Sequence, residues 1–175
     1  MITGIPNFYH YMDSIGNGKG VDDFIGDYST VPIKARHNVP GDERHDLYRM
    51  IIAVEDGSGM KADEYGDLNG PLVDGISITV EDDNGILLDL TDEVPVKTNA
   101  QWGQLCFDAD IKSWGGTPSD DILLVRFTFE RSGAPITVHG HPENNRRLSV
   151  NFSDDFTGLI HHRFMLQGMR YKQNI

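Results

Sequence analysis

From Tyr28 onward the apolar positions mostly alternate with polar ones. That period of two belongs to strands half-buried in a sheet. Residues 47–56 predict a strong strand, with Tyr48, Met50, Ile52 and Val54 on one face. Ile51 and Ala53 make its other face partly apolar, which suits a central position. Ile76, Ile78 and Val80 alternate with Ser77, Thr79 and Glu81, and Ile86, Leu88 and Leu90 alternate again. Asp83-Asn84-Gly85 between them predicts a hairpin whose Asn-Gly turn takes positive φ at both residues. Residues 121–131 form the clearest strand, with Leu123, Val125, Phe127 and Phe129 inward. Further strands are expected over 30–36, 104–110, 136–139, 146–152 and 160–171. Pro32 places the first of these at an edge. Leu105, Phe107 and Ala109 are the inward set of the second.

The connections read as turns and loops. Residues 57–74 form a long loop with one helical turn at 60–65, and 91–103 is a polar connection. A second helical turn is expected at 154–158. Eight or nine strands and almost no helix predict an all-β, antiparallel β-sandwich. A jelly-roll-like path is the first choice and an immunoglobulin-like one the second. The single cysteine excludes the Cys…Trp…Cys signature of the second. Residues 1–28 break the pattern, with the aromatic cluster Phe8-Tyr9-His10-Tyr11-Met12 and then Gly16-Asn17-Gly18-Lys19-Gly20. They predict an extended N-terminal arm ahead of a sandwich domain over 29–175. The arm either docks on a neighbouring subunit or covers one edge of its own body.

Charge narrows the partners. The 175 residues hold 27 acids against 15 Lys and Arg, a net charge of −12. A broad nucleic-acid face needs clustered cations that release phosphate counterions, so nucleic acid is not expected. An anionic membrane is disfavoured on the same ground, and no apolar run reaches the length of a spanning helix. The first residues carry no signal-peptide pattern. Cys106 alone makes no intrachain disulfide, which fits a reducing compartment.

Candidate chemistry is sparse. His139-Gly140-His141-Pro142-Glu143 superficially resembles the His-x-His of cupins, since imidazoles two apart on a strand share a face. Glu143 follows too soon, and Pro142 with Asn144-Asn145 places His141 in a turn. His37, His45, His161 and His162 are the other histidines that could assist. Adjacent His161 and His162 face opposite ways on a strand. The pairs Asp22-Asp23, Asp82-Asp83, Asp120-Asp121 and Asp154-Asp155 offer hard oxygens for Ca²⁺, yet none has the EF-hand spacing and most fall at turns. No Ser stands in a nucleophile elbow, and the glycine run of the arm lacks the strand and helix of a phosphate loop. Trp102 and Trp114 could form a sugar platform, or plug the ends of the core. The reading is of no catalytic residue, no metal and no cofactor.

The order of segments resembles a group of small structural proteins of tailed-phage virions. The resemblance rests on the aromatic arm, the glycine loop and Ile25-Gly26-Asp27-Tyr28-Ser29. It continues through Ala62-Asp63-Glu64-Tyr65-Gly66-Asp67-Leu68, Asp89-Leu90-Thr91-Asp92 and Pro95-Val96-Lys97-Thr98-Asn99. Ser132-Gly133-Ala134-Pro135 and Asp154-Asp155-Phe156-Thr157-Gly158-Leu159 complete it. These motifs are turns and hairpins, and no catalytic residue comes with them. The resemblance implies a non-enzymatic virion role, first as a capsid decoration (cement) protein on the capsid exterior, assembled in the host cytoplasm. The expected partners are the major capsid protein and further copies of the chain, a homotrimer by preference. A neck or tail position, a carbohydrate-binding module and a cupin-like metalloenzyme are the alternatives, in that order. Phe8, Tyr9, Tyr11 and Met12 are the expected anchors of the arm. Residues 31–40 and 163–175 carry Lys or Arg without acids, so Lys34, Arg36, Arg163, Arg170 and Tyr171 mark the expected docking face.

Overall fold

The computed structural model describes residues 4–11, 13–14, 26–56, 59–105, 108–113, 121–129 and 135–172. Their elements are β1 (Gly4–Tyr11), β2 (Asp13–Ser14), β3 (Ile33–Asn38), β4 (Glu43–Asp56), β5 (Ser77–Asp82) and β6 (Gly85–Asp89). The helix α1 (Asn99–Leu105) follows, then β7 (Asp108–Ser113), β8 (Asp121–Thr128), β9 (Ile136–His139), β10 (Arg147–Phe152) and β11 (His161–Lys172). One sheet has the order β1-β11-β4-β8-β7, with β9 also paired to β4; the other runs β2-β3-β10-β5-β6. All pairings are antiparallel. The protein is an all-β sandwich, as the alternation predicts. Its late strands interleave with its early ones: β10 lies between β3 and β5, and β11 lies beside β4.

The inward positions of both sheets meet in one core. Met50, Ile52 and Val54 of β4, Leu123 and Val125 of β8, and Phe164 and Leu166 of β11 face Ile33, Ile78, Val80, Leu148, Val150 and Phe152 of the other sheet. Each such side chain contributes about 1.5–3 kcal/mol relative to an exposed one. Of the arm, β1, β2 and residues 26–28 are described, and Tyr28 is buried in the core. The first lies on the edge of one sheet and the second on the edge of the other.

Four sequence expectations change. Tyr48 does not join Met50 on the inner face. The register passes from Gln167↔Arg49 to Gly168↔Leu47, which leaves Tyr48 as the extra residue of a bulge. Leu47 and Met50 are therefore both buried, and the Tyr48 hydroxyl lies 3.2 Å from Met169 Sδ.

The strand expected from Gln104 is instead the end of α1, and β7 begins only at Asp108. The missed signal is Thr98-Asn99-Ala100-Gln101, a capping box. Gln101 N–H donates to Thr98 Oγ1 at 3.3 Å, while Gln101 Oε1 accepts from Thr98 N–H at 3.1 Å. Buried Asn99 fixes the helix start by donating from Nδ2 to the carbonyls of Lys61 and Gly66, at 2.7 and 2.8 Å.

The β5–β6 hairpin forms, but its register sets Asp82 against Gly85, so Asp83 and Asn84 make the turn. The positive φ falls on Gly85, at 142°. A bulge then leaves Leu87 unmatched, and Ile86 and Leu88, expected inward, are exposed.

Neither 60–65 nor 154–158 is helical. Asp154 pins the loop opposite by accepting the N–H groups of Val73, Asp74 and Gly75 at 2.5, 3.1 and 2.6 Å.

His162 lies inside the core, enclosed by Tyr65, Phe152, Phe156 and Phe164 at ring separations of 4.7–6.3 Å. Its Nε2 is 2.8 Å from the Tyr65 hydroxyl. Its Nδ1 is buried with no hydrogen-bond partner. Burial holds the imidazole neutral and lowers its pKa to about 3. The unfolded chain protonates it below about 6.5, so this stabilisation is complete above that pH and is lost as pH falls towards 3. The slope is about 1.4 kcal/mol per pH unit. Denaturant unfolding from pH 6.5 to 5 should show this decline in the native protein. In His162→Gln it should be shallower by about one proton; equal slopes would remove His162 as the cause.

Candidate interaction surfaces

In an antiparallel sandwich the outer face of each sheet ordinarily meets water and reads polar. The β11-β4-β8 triplet departs from that. Its register sets Met165 against Ile51, Arg163 against Ala53, and Ala53 against Leu124. With Ile122 these residues form a half-buried apolar band across the outer face. Arg163, Arg49 and Arg126 border it. Arg49 Nε donates to Gln167 Oε1. On the β7 side the register places Asp108 opposite Arg126 and Asp110 opposite Leu124. At the far end Tyr171 lies under the Arg44 guanidinium, 4.3 Å from ring centroid to Cζ. Arg44 also donates to Asp46 Oδ2 at 3.1 Å, and Thr137 Oγ1 donates to Asp46 Oδ1 at 2.9 Å.

The outer face of the second sheet is polar and organised by one carboxylate. Buried Glu81 accepts from Lys34 Nζ and Arg147 Nε, each at 2.9 Å, and from Ser149 Oγ at 3.0 Å. Arg36 Nε lies 4.0 Å away. Arg147 also donates to Asp83 Oδ1 at 3.0 Å. Burial alone would raise the Glu81 pKa, but the bonds from Arg147, Lys34 and Ser149 outweigh it and hold the carboxyl below its ordinary value.

The residues expected to share one docking face lie on opposite sides of the sandwich. Lys34 and Arg36 are on β3 and tied into the Glu81 network. Arg163 and Tyr171 lie on the outer face of β11, and Arg170 is exposed near its end. Phe8, Tyr9 and Tyr11 lie on β1, opposite Gly168, Gln167 and Met165 of β11. Met12 lies outside the described residues. The apolar band itself was only half visible in sequence, as the second apolar face of 47–56.

The other candidates resolve into structural parts. His141 Nδ1 accepts the N–H groups of Glu143 and Asn144 at 3.1 and 3.2 Å, so it caps a turn, and His139 is exposed. Gly140 between them is required by close approach: a Cβ there would sit 1.7 Å from the Pro40 carbonyl oxygen. Trp102 is fully buried beside Tyr65 and offers no sugar platform; Trp114 and Cys106 lie outside the described residues. Asp82 caps the hairpin by accepting from Asn84 N–H at 2.7 Å, and Asp155 accepts from Thr157 N–H at 2.8 Å. An open depression of about 500 Å³ lies between residues 67–73 and 154–158. Among the described residues no group of three or more His, Cys, Asp or Glu is arranged to hold a metal ion.

One chain of contacts, buried at His37, His45 and Glu43 and exposed at Lys172, was not foreseen as a unit. His37 Nε2 lies 2.8 Å from His45 Nδ1, His45 Nε2 lies 2.7 Å from Glu43 Oε2, and Lys172 Nζ lies 3.0 Å from Glu43 Oε1. It ties β3 of one sheet to β4 and β11 of the other. Burial opposes the Glu43 charge, but its bonds from His45 and Lys172 hold the carboxyl below its ordinary pKa.

No family model, curated protein or solved structure matches this chain.

Two substitutions probe these assignments. Glu81→Gln leaves Lys34 and Arg147 facing a neutral amide and should cost about 2 kcal/mol in denaturant unfolding at pH 7. A change within experimental error would show that the network adds no net stability. Gly140→Ala forces the chain crossing at Pro40 apart and should cost about 3 kcal/mol or more. A melting temperature equal to that of the native protein would contradict the close approach.

Proposed function

We propose that the protein is a non-enzymatic structural protein of a tailed-phage virion, a decoration protein that docks on the capsid surface. The observation that carries the docking is the apolar band on the outer face of β11, β4 and β8, where a solvated sheet would be polar. A contiguous half-buried apolar band on an outer face suits an interaction site. Arginine at the border suits an interface rim, since its guanidinium forms geometrically specific hydrogen bonds. The resemblance to phage virion proteins supplies the particle, and the major capsid protein is the partner it suggests. Trimeric association would multiply weak local contacts into stable occupancy.

Ile51→Glu and Leu124→Glu each place a charge on the band while leaving the inner face of their strands untouched. Each should retain the native circular dichroism spectrum and lose most of its occupancy on purified capsids in a cosedimentation assay. Folded variants that bind as well as the native protein would overturn the docking face. Quantitative mass spectrometry of virions separates the positions within the particle. Copies on the order of hundreds mean capsid, and roughly a dozen or fewer mean neck or tail, as expected from the symmetry of each location.

A further inference from the structure

We propose that the outer edge of β6 is a second docking site, one that takes an extended, basic-flanked segment of another protein as an added strand. The inference does not depend on the virion reading. Among the described residues β6 is the terminal strand of its sheet and pairs only with β5. Such an edge offers backbone N–H and C=O groups as a template, and proteins usually blunt it with Lys or Pro. The sequence of β6, Gly85-Ile86-Leu87-Leu88-Asp89, contains neither. Its Ile86, Leu87 and Leu88 are 63%, 52% and 45% exposed, and Val94 just beyond is 60% exposed. The bulge at Leu87 adds a third apolar side chain where a regular strand would turn one outward and the next inward.

The backbone beside the edge is held at a cost. Asp92 and Glu93 have φ of 55° and 62°, the left-handed region that side chains other than Gly, Asn and Asp rarely adopt. The turn is closed by Val94 N–H to the Thr91 carbonyl at 3.0 Å, and Thr91 is fixed by Asp89 Oδ1 at 2.8 Å. Strain of this kind tends to persist where function requires the conformation. The turn presents Asp92, Glu93 and Val94 at the end of β6, all exposed.

Charge selects the occupant. Residues 77–96 contain Glu81, Asp82, Asp83, Asp89, Asp92 and Glu93, and no Lys or Arg. Glu81 and Asp83 are matched by cations of the same sheet. Asp92 and Glu93 lie at the open end of the edge. A second copy pairing β6 antiparallel to β6 would set Asp92 and Glu93 of each copy beside the Asp82-Asp83 turn of the other, and like charges facing across strands are destabilising. The fitting partner alternates apolar side chains that cover Ile86, Leu87 and Leu88, and carries Lys or Arg where it passes Asp92 and Glu93. Main-chain hydrogen bonds would give affinity and the flanking charges would set direction.

The probe is a fluorescein-labelled peptide, Lys-Val-Thr-Val-Thr-Val-Lys, titrated with the full chain at low salt and followed by anisotropy. Two controls replace both Lys by Glu, or the central Val by Pro. The expected result is saturable binding of the Lys peptide, at least ten-fold weaker binding of the Glu peptide, and none of the Pro peptide. Ile86→Lys, a change at an exposed position, should abolish binding without shifting the melting temperature. Ile51→Glu, on the other sheet, should leave binding unchanged. No saturable binding of the Lys peptide, or equal binding of either control, overturns the proposal. So does loss of binding with Ile51→Glu rather than with Ile86→Lys. Self-association abolished by Ile86→Lys would assign the edge to a second copy and equally overturn it.

Discussion

The pairing of β4 with β11 is the contact on which the rest of the sandwich depends. It runs from His161↔Glu55 to Lys172↔Glu43. β8 and β9 then use the other side of β4, so one fourteen-residue strand sets the register of most of its sheet. A slip of one residue would turn Met50, Ile52 and Val54 to the outside. The bulge at Tyr48 is the controlled exception: it keeps Leu47 and Met50 in the core although three positions separate them. It also turns Tyr48 to the outer face, towards Met169.

Where strands obey simple alternation, the sequence was a sufficient guide. β8 buries the residues expected of it among those whose side chains are described, and the hairpin of β5 and β6 forms at its Asp-Asn-Gly turn. Failure came where a local polar device outranked the apolar period. Thr98 and Gln101 cap each other, so Trp102 enters the core from a helix rather than from the end of a strand. Ile86 and Leu88 alternate in sequence as one face, but the bulge at Leu87 separates them, setting Ile86 beside Glu81 and Leu88 beside Val80. The docking residues were chosen by local charge, which carries no information about the opposite sides of a sandwich. Lys34 and Arg163 were therefore grouped although they belong to different sheets.

The acidity of the chain is also better understood from the structure. Several carboxylates are structural parts rather than a free surface field. Asp154 secures three N–H groups of one loop, Asp82 and Asp89 secure turns at the two ends of β6, and Glu81 holds the cations of the second sheet. The exposed pair Asp92 and Glu93 stands apart, because both residues have positive φ and exposed side chains. Two different surfaces result: a half-buried apolar band with arginine borders, and an apolar edge with acids at its end.

The interleaving of late strands with early ones has a consequence for how the protein is made. Tyr48 and Met169 are neighbours in space yet 121 positions apart in the chain. β4 gains its longest partner only when residues 161–172 are available, and β3 and β5 wait for β10 to come between them. Contacts of such sequence separation form slowly, because the loop must close before the contact repays it. During synthesis the first half of the sandwich would therefore leave the ribosome with its inner faces uncovered. β11 acts as a closing clasp, and a nascent chain stopped before it would present an open core to chaperones and proteases.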